Sequence, residues 1–337
     1  MTSSLKIFLT ICITYVILPP LLHSCGKEVI IVEKSQPNES GNSCDNVSDQ
    51  DLPDNPTDNA SNGPSIDFAS LPPSSADIRL SAGGDYLYLD LFEGETITIR
   101  YKLIRCKSGT FKMGATSEQG ISETFFPPHD VTLTKDFYIG ETEVTEGLYA
   151  AVVANTIAAV RPELVKNYNK KWVAGWITFY DAMSFCTMAS KKLNVAISLP
   201  TSAQWEYAAR GGHKHTVQTR YAGSDDFSDV AYHDKAAYHP TFPKTKKKNT
   251  LGIYDMTGNA QEWTLDYASN GKTRQVYYSI ASVDPTGPSK EDAMSGSHVS
   301  RGGGYSSNSL CLSNCYELNV SDTRYYPMQG FRIVLIP

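Results

Sequence analysis

The chain has 337 residues, of which 20% are charged and 41% hydrophobic, and a net charge of -6. That length can bury a substantial core, and the balance is that of a globular protein, not of a disordered or membrane-embedded one. The acidic charge and the absence of a basic stripe exclude a nucleic-acid-binding surface, and the short run Lys244 to Lys248, bounded by Pro243 and Asn249, reads as a solvated loop.

Lys6 precedes an apolar run from Ile7 to Leu18, which is short for a membrane span and placed where a secretory signal belongs. The run leads into Leu22-His-Ser-Cys25, which resembles the lipobox of bacterial lipoproteins. The expectation is a signal peptide over 1–24, lipidation of Cys25, and a membrane partner reached through that lipid anchor. The compartment would be the bacterial cell envelope, on the outer membrane. From Ser35 to about Pro73 the chain is rich in Ser, Asn, Asp and Pro and poor in large apolar residues, so 25–75 is expected to be a flexible tether. Seven cysteines occur; with Cys12 in the signal and Cys25 lipidated, five remain, an odd number that rules out a fully paired disulfide framework.

Tyr86 to Leu91 and Glu95 to Leu103 alternate and are rich in Tyr, Ile and Thr around Glu93-Gly94, predicting a β-hairpin within 76–105 that leads into a domain over 106–337. Ser108 to Gly114 gives a short strand and turn, and Pro127 to Ile139 two more extended runs, with His129 as a hydrogen-bonded loop residue. Three helices follow with readable starts: one opened by Thr145, one by Thr178 with Asp181 in capping-box spacing, and one by Thr201 with Gln204, stopped by Gly211-Gly212. Cys186 lies on the apolar stripe of the second helix, as a core thiol. Asn270 to Ser297 reads as loop, and Gly330 to Leu335 as a closing strand. Short strands, few helices and no βαβ alternation indicate an α+β fold.

The densest stretch is Leu251-Gly-Ile-Tyr-Asp-Met-Thr-Gly-Asn-Ala-Gln-Glu-Trp263. Gly258 and Asn259 suit a positive-φ turn that aims main-chain carbonyls inward, close to Glu262. Two readings are open on residues alone. One is an oxygen-lined site for a hard cation such as Ca²⁺. The other is a rigid buried turn with Glu262 in a salt bridge and Trp263 in the core.

Five landmarks in order resemble the formylglycine-generating enzyme (sulfatase-modifying factor) family: Gly109-Thr-Phe-Lys-Met-Gly114, Phe137 to Thr145, Leu199 to Gly212, the stretch above, and Arg301-Gly-Gly with Gly330-Phe-Arg332. The resemblance covers about Ser108 to Pro337 and implies a loop-rich variant of the C-type lectin fold. It implies a structural Ca²⁺ held by Asp255, Gly258, Ala260 and Glu262, the glycine and alanine through main-chain carbonyls. The family's enzyme converts a sulfatase cysteine to formylglycine with O₂ and Cu⁺ on two thiolates. Counted from Arg301, that pair falls on Ser307 and Leu312; the thiols here are Cys311 and Cys315, so these two are the catalytic candidates if the chemistry survives. The cysteine that pairs across the family's core matches Cys186, and Ile333 stands at the other end.

Relatives of the family include lipoproteins that bind partners and the variable proteins of diversity-generating retroelements. Between Tyr305 and Pro327 only Glu317 lies outside the set of residues that mutagenised Asn codons can reach. Tyr305, Ser307, Asn308, Asn314, Tyr316, Tyr325 and Tyr326 form a paratope-like set of rigid aromatics and adaptable polar groups. The expected function is a lipid-anchored, non-catalytic domain that binds a glycan, peptide or protein through these loops. The alternatives are the copper oxidase and a purely architectural envelope component.

Overall fold

The computed structural model describes residues 71, 73–121, 126–157, 171–269 and 281–337. The signal segment, Cys12, Cys25, Cys44 and most of the tether lie outside the described residues.

The chain enters through a three-stranded meander, β1 (Asp77–Gly83), β2 (Tyr86–Glu93) and β3 (Thr96–Cys106). The expected hairpin is β2–β3, turning at Gly94 with φ 64°; β1 is an additional edge strand that the hydrophobic pattern did not announce. Strands β4 (Gly109–Met113) and β5 (His129–Leu133) pair antiparallel, and β6 (Phe137–Gly140) follows. His129 therefore begins a strand, and its Nδ1 lies 2.9 Å from the Pro127 carbonyl.

Helix α1 (Glu146–Ile157) starts after Thr145, whose hydroxyl accepts the Leu148 N–H at 3.4 Å. Helix α2 (Phe179–Leu193) carries the expected capping box: the Thr178 hydroxyl accepts the Asp181 N–H, and the Asp181 carboxylate accepts the Thr178 N–H. It buries Ala182, Phe185, Cys186 and Ala189 and ends at Asn194 in the left-handed region. After β7 (Ala196–Ser198), α3 (Ser202–Ala209) has the same reciprocal cap between Thr201 and Gln204. Such caps satisfy N–H groups that the first helical turn leaves without partners.

The remaining elements are a short helix α4 (Phe227–Val230) and six strands: β8 (Gln261–Tyr267), β9 (Ser282–Val283), β10 (Ser297–Arg301), β11 (Leu318–Ser321), β12 (Gln329–Gly330) and β13 (Val334–Ile336). Three sheets result. The largest runs β1-β2-β3-β6-β13-β7 and is antiparallel throughout; a second runs β11-β10-β8-β12 and a third β4-β5-β9. The lead-in hairpin is continuous with the rest because β3 pairs with β6. Tyr101 on β3 adds a tie, donating its hydroxyl to the Thr142 carbonyl at 2.6 Å.

Helices α1 and α2 cover the large sheet, and Phe185 and Phe331 meet edge to face at 5.3 Å in that core. Trp263 on β8 is fully buried there, with its indole N–H on the Ile177 carbonyl. The expected closing strand is split: Gly330 ends β12, Val334 and Leu335 belong to β13, and Phe331, Arg332 and Ile333 between them are buried, irregular chain.

Candidate functional site

Three buried segments converge at the central turn. Asp255, Gly258 and Asn259 all have positive φ, at 57°, 77° and 59°. A Cβ on Gly258 would sit 2.5 Å from the Tyr232 carbonyl oxygen, so glycine is required on steric as well as torsional grounds. Asn259 is fully buried and spends all its polar groups: its N–H donates to the Tyr232 carbonyl and its carbonyl accepts the Tyr305 N–H. Its side-chain oxygen accepts the Thr241 N–H, and its amide donates to Glu143 Oε1 at 3.1 Å.

Glu262 is held by Arg332. The guanidinium donates Nη2–H to Oε1 and Nε–H to Oε2, each at 2.6 Å, and the Trp205 indole N–H adds a 2.7 Å bond to Oε2. Both charged residues are fully buried. Burial works against the Arg332 charge, but the Glu262 carboxylate outweighs it and raises the pKa above the usual arginine value. Arg332 also donates to the Gly140 and Tyr254 carbonyls, joining the turn to β6.

Two further acids share this interior. Glu143, fully buried, accepts the Asn259 amide and the Ala260 N–H on Oε1, while its Oε2 is buried with no hydrogen-bond partner. Asp255 accepts the Lys244 N–H on Oδ2 at 2.7 Å, while its Oδ1 is likewise buried without a partner. Burial, then the Asp255 charge, pushes Glu143 well above the usual carboxylate range. Burial also pushes Asp255 up to about 6 against the Lys244 N–H, with Glu262 adding to the rise. The Lys244 ammonium pairs with Glu141 instead. Three buried carboxyl groups thus face one buried guanidinium.

A second charged centre is balanced. Glu206 Oε1 accepts from Arg210 and from the Gly114 N–H, and its Oε2 accepts from Arg301. Arg301 also reaches Glu317 at 3.1 Å, the Ser202 hydroxyl and the Asn314 carbonyl. Two acids meet two arginines, and the C-terminal loops hang from Arg301. Glu317, the one residue that breaks the composition of those loops, is their buried anchor.

The expected ligand residues divide into two groups. Tyr305, Ser307 and Asn314 are interior; Asn314 donates its amide to the Thr219 carbonyl, and the Ser307 hydroxyl accepts the Gly304 N–H. Their polar character serves the framework and not the outer face. Asn308, Tyr316, Tyr325 and Tyr326 are half-buried, so part of each meets solvent. Trp172 and His239, which the sequence reading did not single out, stack at 4.0 Å. The main chain of this region meets the tyrosine loop where the Trp176 N–H donates to the Tyr326 carbonyl.

The cysteines do not form a thiol couple. Cys311 is disulfide-bonded, whereas Cys315 is a free thiol, as are Cys106 and Cys186. Burial, with Glu206 nearby, pushes the Cys315 thiol up to about 12, so it is protonated at neutral pH. Cu⁺ bound in the enzyme's manner needs two thiolates; Cys311 and Cys315 do not provide them. The Ca²⁺ expectation fares differently. Unpartnered buried carboxylate oxygens beside a turn suit a hard cation, although Glu262 is already committed to Arg332.

The sulfatase-modifying factor enzyme 1-like domain model matches residues 91–336. The chain belongs to this family. Among curated relatives of this sulfatase-modifying factor domain, the chaperone protein LppX of Paenibacillus barcinonensis is 26% identical over 288 residues, covering 70% of this chain and 90% of the relative. The formylglycine-generating enzyme of Streptomyces coelicolor is 26% identical over 263 residues, covering 60% and 78%. Among solved structures, Treponema denticola variable protein 1 superposes with a TM-score of 0.58 at 22% identity, covering 71% of this chain and 96% of that one. PvdO from Pseudomonas aeruginosa gives 0.56 at 17%, covering 70% and 94%. These likenesses show the fold, the loop-rich variant of the C-type lectin fold anticipated from the landmarks.

Glu143 was missed in the sequence. It follows Glu141 and Thr142 at a strand end and looks like one more surface acid. Its only local signal is the position between Thr142 and Val144, just before a helix start. Glu206 and Arg210 were also missed: they pair with each other one helical turn apart, but the Arg301 and Gly114 groups that complete the centre lie about a hundred residues away.

Proposed function

We propose that this sulfatase-modifying factor domain is a non-catalytic, lipid-anchored component of the bacterial cell envelope that presents its C-terminal loops to a ligand. The observation that carries the reading is the unlike state of Cys311 and Cys315, one oxidised and one a buried protonated thiol. The same loops are held rigidly from Arg301 and leave Asn308, Tyr316, Tyr325 and Tyr326 partly accessible. Pre-positioned aromatic area with polar neighbours lowers the ordering cost of binding. Of the glycan, peptide and protein classes, the name of the Paenibacillus relative, a chaperone protein, favours a polypeptide. A structural Ca²⁺ at the central turn belongs to the same reading, with Asp255 as a carboxylate ligand and the Gly258 and Ala260 carbonyls as partners. Among the described residues no helix is long and apolar enough to cross a membrane, and the anchor is assigned to Cys25.

The test is binding of the purified protein to peptide and glycan arrays, with a Tyr325→Ala, Tyr326→Ala double variant that retains the wild-type melting temperature. Loss of at least ten-fold in affinity on the hits is expected. Copper-dependent O₂ consumption with a cysteine peptide, abolished by Cys311→Ser, would overturn the reading. Metabolic labelling with a palmitate analogue, lost on Cys25→Ser, tests the anchor.

A further inference from the structure

We infer that Cys311 is bonded to Cys44, which straps the tether to the foot of the C-terminal loops and sets how far those loops can stand from the lipid. This rests on the Cys25 anchor of the reading above. The argument is one of elimination. The chain has seven cysteines. Cys311 is in a disulfide, while Cys106, Cys186 and Cys315 are free thiols. Its partner is therefore Cys12, Cys25 or Cys44, all outside the described residues. Cys12 lies in the apolar run of the leader, and a Cys25 sulfur joined to lipid has no valence left for a disulfide. Cys44 remains, flanked by Ser43, Asp45 and Asn46 in a stretch without the apolar side chains that bury a thiol.

The cell envelope is a compartment in which such a thiol is oxidised. Closing the bond takes two electrons and two protons from the two thiols. An oxidised dithiol protein accepts them by exchange through a mixed disulfide and leaves as two thiols. The chain from Cys44 to Leu71 can extend to roughly 90 Å, about twice the diameter of a domain of this size, so it is long enough to reach Cys311 from any edge.

Cys311 is a fixed point. It is fully buried, and its N–H donates at 3.2 Å to the Asn308 side-chain oxygen, which also accepts the Leu310 N–H at 3.1 Å. The next residue, Leu312, is buried with Tyr221, Val230 and Ala231. A Cβ on Gly303 would stand 2.9 Å from the Cys311 carbonyl oxygen, so the main chain there is closely packed as well. Asn308 is half-buried and Ser309 exposed, so a strap at Cys311 enters beside the proposed ligand face. From Cys25 to Cys44 the extended chain covers about 65 Å, against about 180 Å from Cys25 to Asp77. With the bond closed, the lipid is tied to the C-terminal loops by the shorter leash. With it open, the folded body hangs from β1 by the longer one.

The experiment takes the full chain from membranes of a bacterial host, alkylates it with iodoacetamide in urea and digests it with trypsin without reductant. Gly302–Arg324 should run joined to Ser35–Arg79, the peptide that holds Cys44, and the two should separate on dithiothreitol, each gaining a hydrogen. A chain with a site-specific protease sequence inserted after Gly63 tests the leash. Once cut, its domain should stay in the membrane pellet until dithiothreitol is added, whereas the Cys44→Ser form should be released by the cut alone. Cys44→Ser should also melt about 5 °C below the wild type and show no further change in dithiothreitol. Gly302–Arg324 joined to a peptide that holds Cys25, an internal Cys311–Cys315 bond, or an alkylated Cys311 overturns the pairing. Release of the cut wild type without reductant does the same. A joined Cys44 peptide in a chain that never pellets overturns the anchor and the leash but not the bond. Palmitate labelling with Cys44 alkylated overturns the strap and leaves the anchor standing.

Discussion

Replacing Arg301 by Met tests whether the C-terminal loops are held by the balanced charge centre. The guanidinium is 1% exposed and serves Glu206, Glu317, the Ser202 hydroxyl and the Asn314 carbonyl together. Met fills much of the volume but leaves two acids facing Arg210 alone, so one negative charge is stranded in the interior. Breaking a buried pair by removing one partner costs about 3–5 kcal/mol. For a domain of this size each kcal/mol is worth about 2–4 °C, so the melting temperature should fall by roughly 10 °C. Adding Glu317→Gln removes the stranded charge and should restore part of the loss, a coupling read from the double-mutant cycle. Thermal and urea denaturation followed by tryptophan fluorescence report the stability, and limited proteolysis reports cleavage within 308–316. A loss below about 1 kcal/mol, with no recovery in the double variant, would refute the reasoning.

Three further outcomes follow from single sites. Burial, opposed by the Ser202 N–H, pushes the Asp266 carboxyl up from its ordinary 3.8 to about 7, so the native state binds that proton more tightly than the unfolded chain. Its contribution is complete below about pH 3.8 and is lost as pH rises through 7; Asp266→Asn should therefore gain on the wild type between pH 5.5 and pH 8, measured as the difference in melting temperature. Cys315 should resist iodoacetamide at pH 7.5 in the native protein and react fully once unfolded, by intact-mass spectrometry; rapid native labelling would contradict its burial and raised pKa. Gly258→Ala should cost about 2 kcal/mol or more in urea unfolding, because φ there is 77° and the Tyr232 carbonyl blocks the added carbon.

Local chemistry made much of the fold legible. Thr178 with Asp181 and Thr201 with Gln204 are caps written within four residues, and the β2–β3 hairpin is written in alternation around a glycine. The family landmarks then supplied what periodicity could not, the order in which distant pieces meet. Edge strand β1 escaped because its side chains are mostly exposed and it carries little apolar pattern. At the site, the reading of the central turn as a rigid buried turn is the one the structure carries. Glu262 is salt-bridged and Trp263 is in the core, while Glu143 and Asp255 beside them each keep one buried oxygen without a hydrogen-bond partner. Polar composition could not say which of Tyr305, Ser307 and Asn314 face inward, since a buried Asn with a carbonyl partner looks the same in sequence as a solvated one. Glu143 and Arg301 were opaque for a related reason: what they do is decided by partners from other parts of the chain.

The pairing of β3 with β6 bears on how this protein can be cut. Residue 91, where the family match begins, falls inside β2, and a fragment started there would discard β1 and most of β2. It would strip the outer flank from β3, a strand of eleven residues with alternating Ile and Tyr, and turn it into a bare, sticky margin. Recombinant pieces intended for ligand work should therefore begin upstream of Asp77. Shorter versions that precipitate would be reporting that exposed border and not a failure of the lectin-like body to fold.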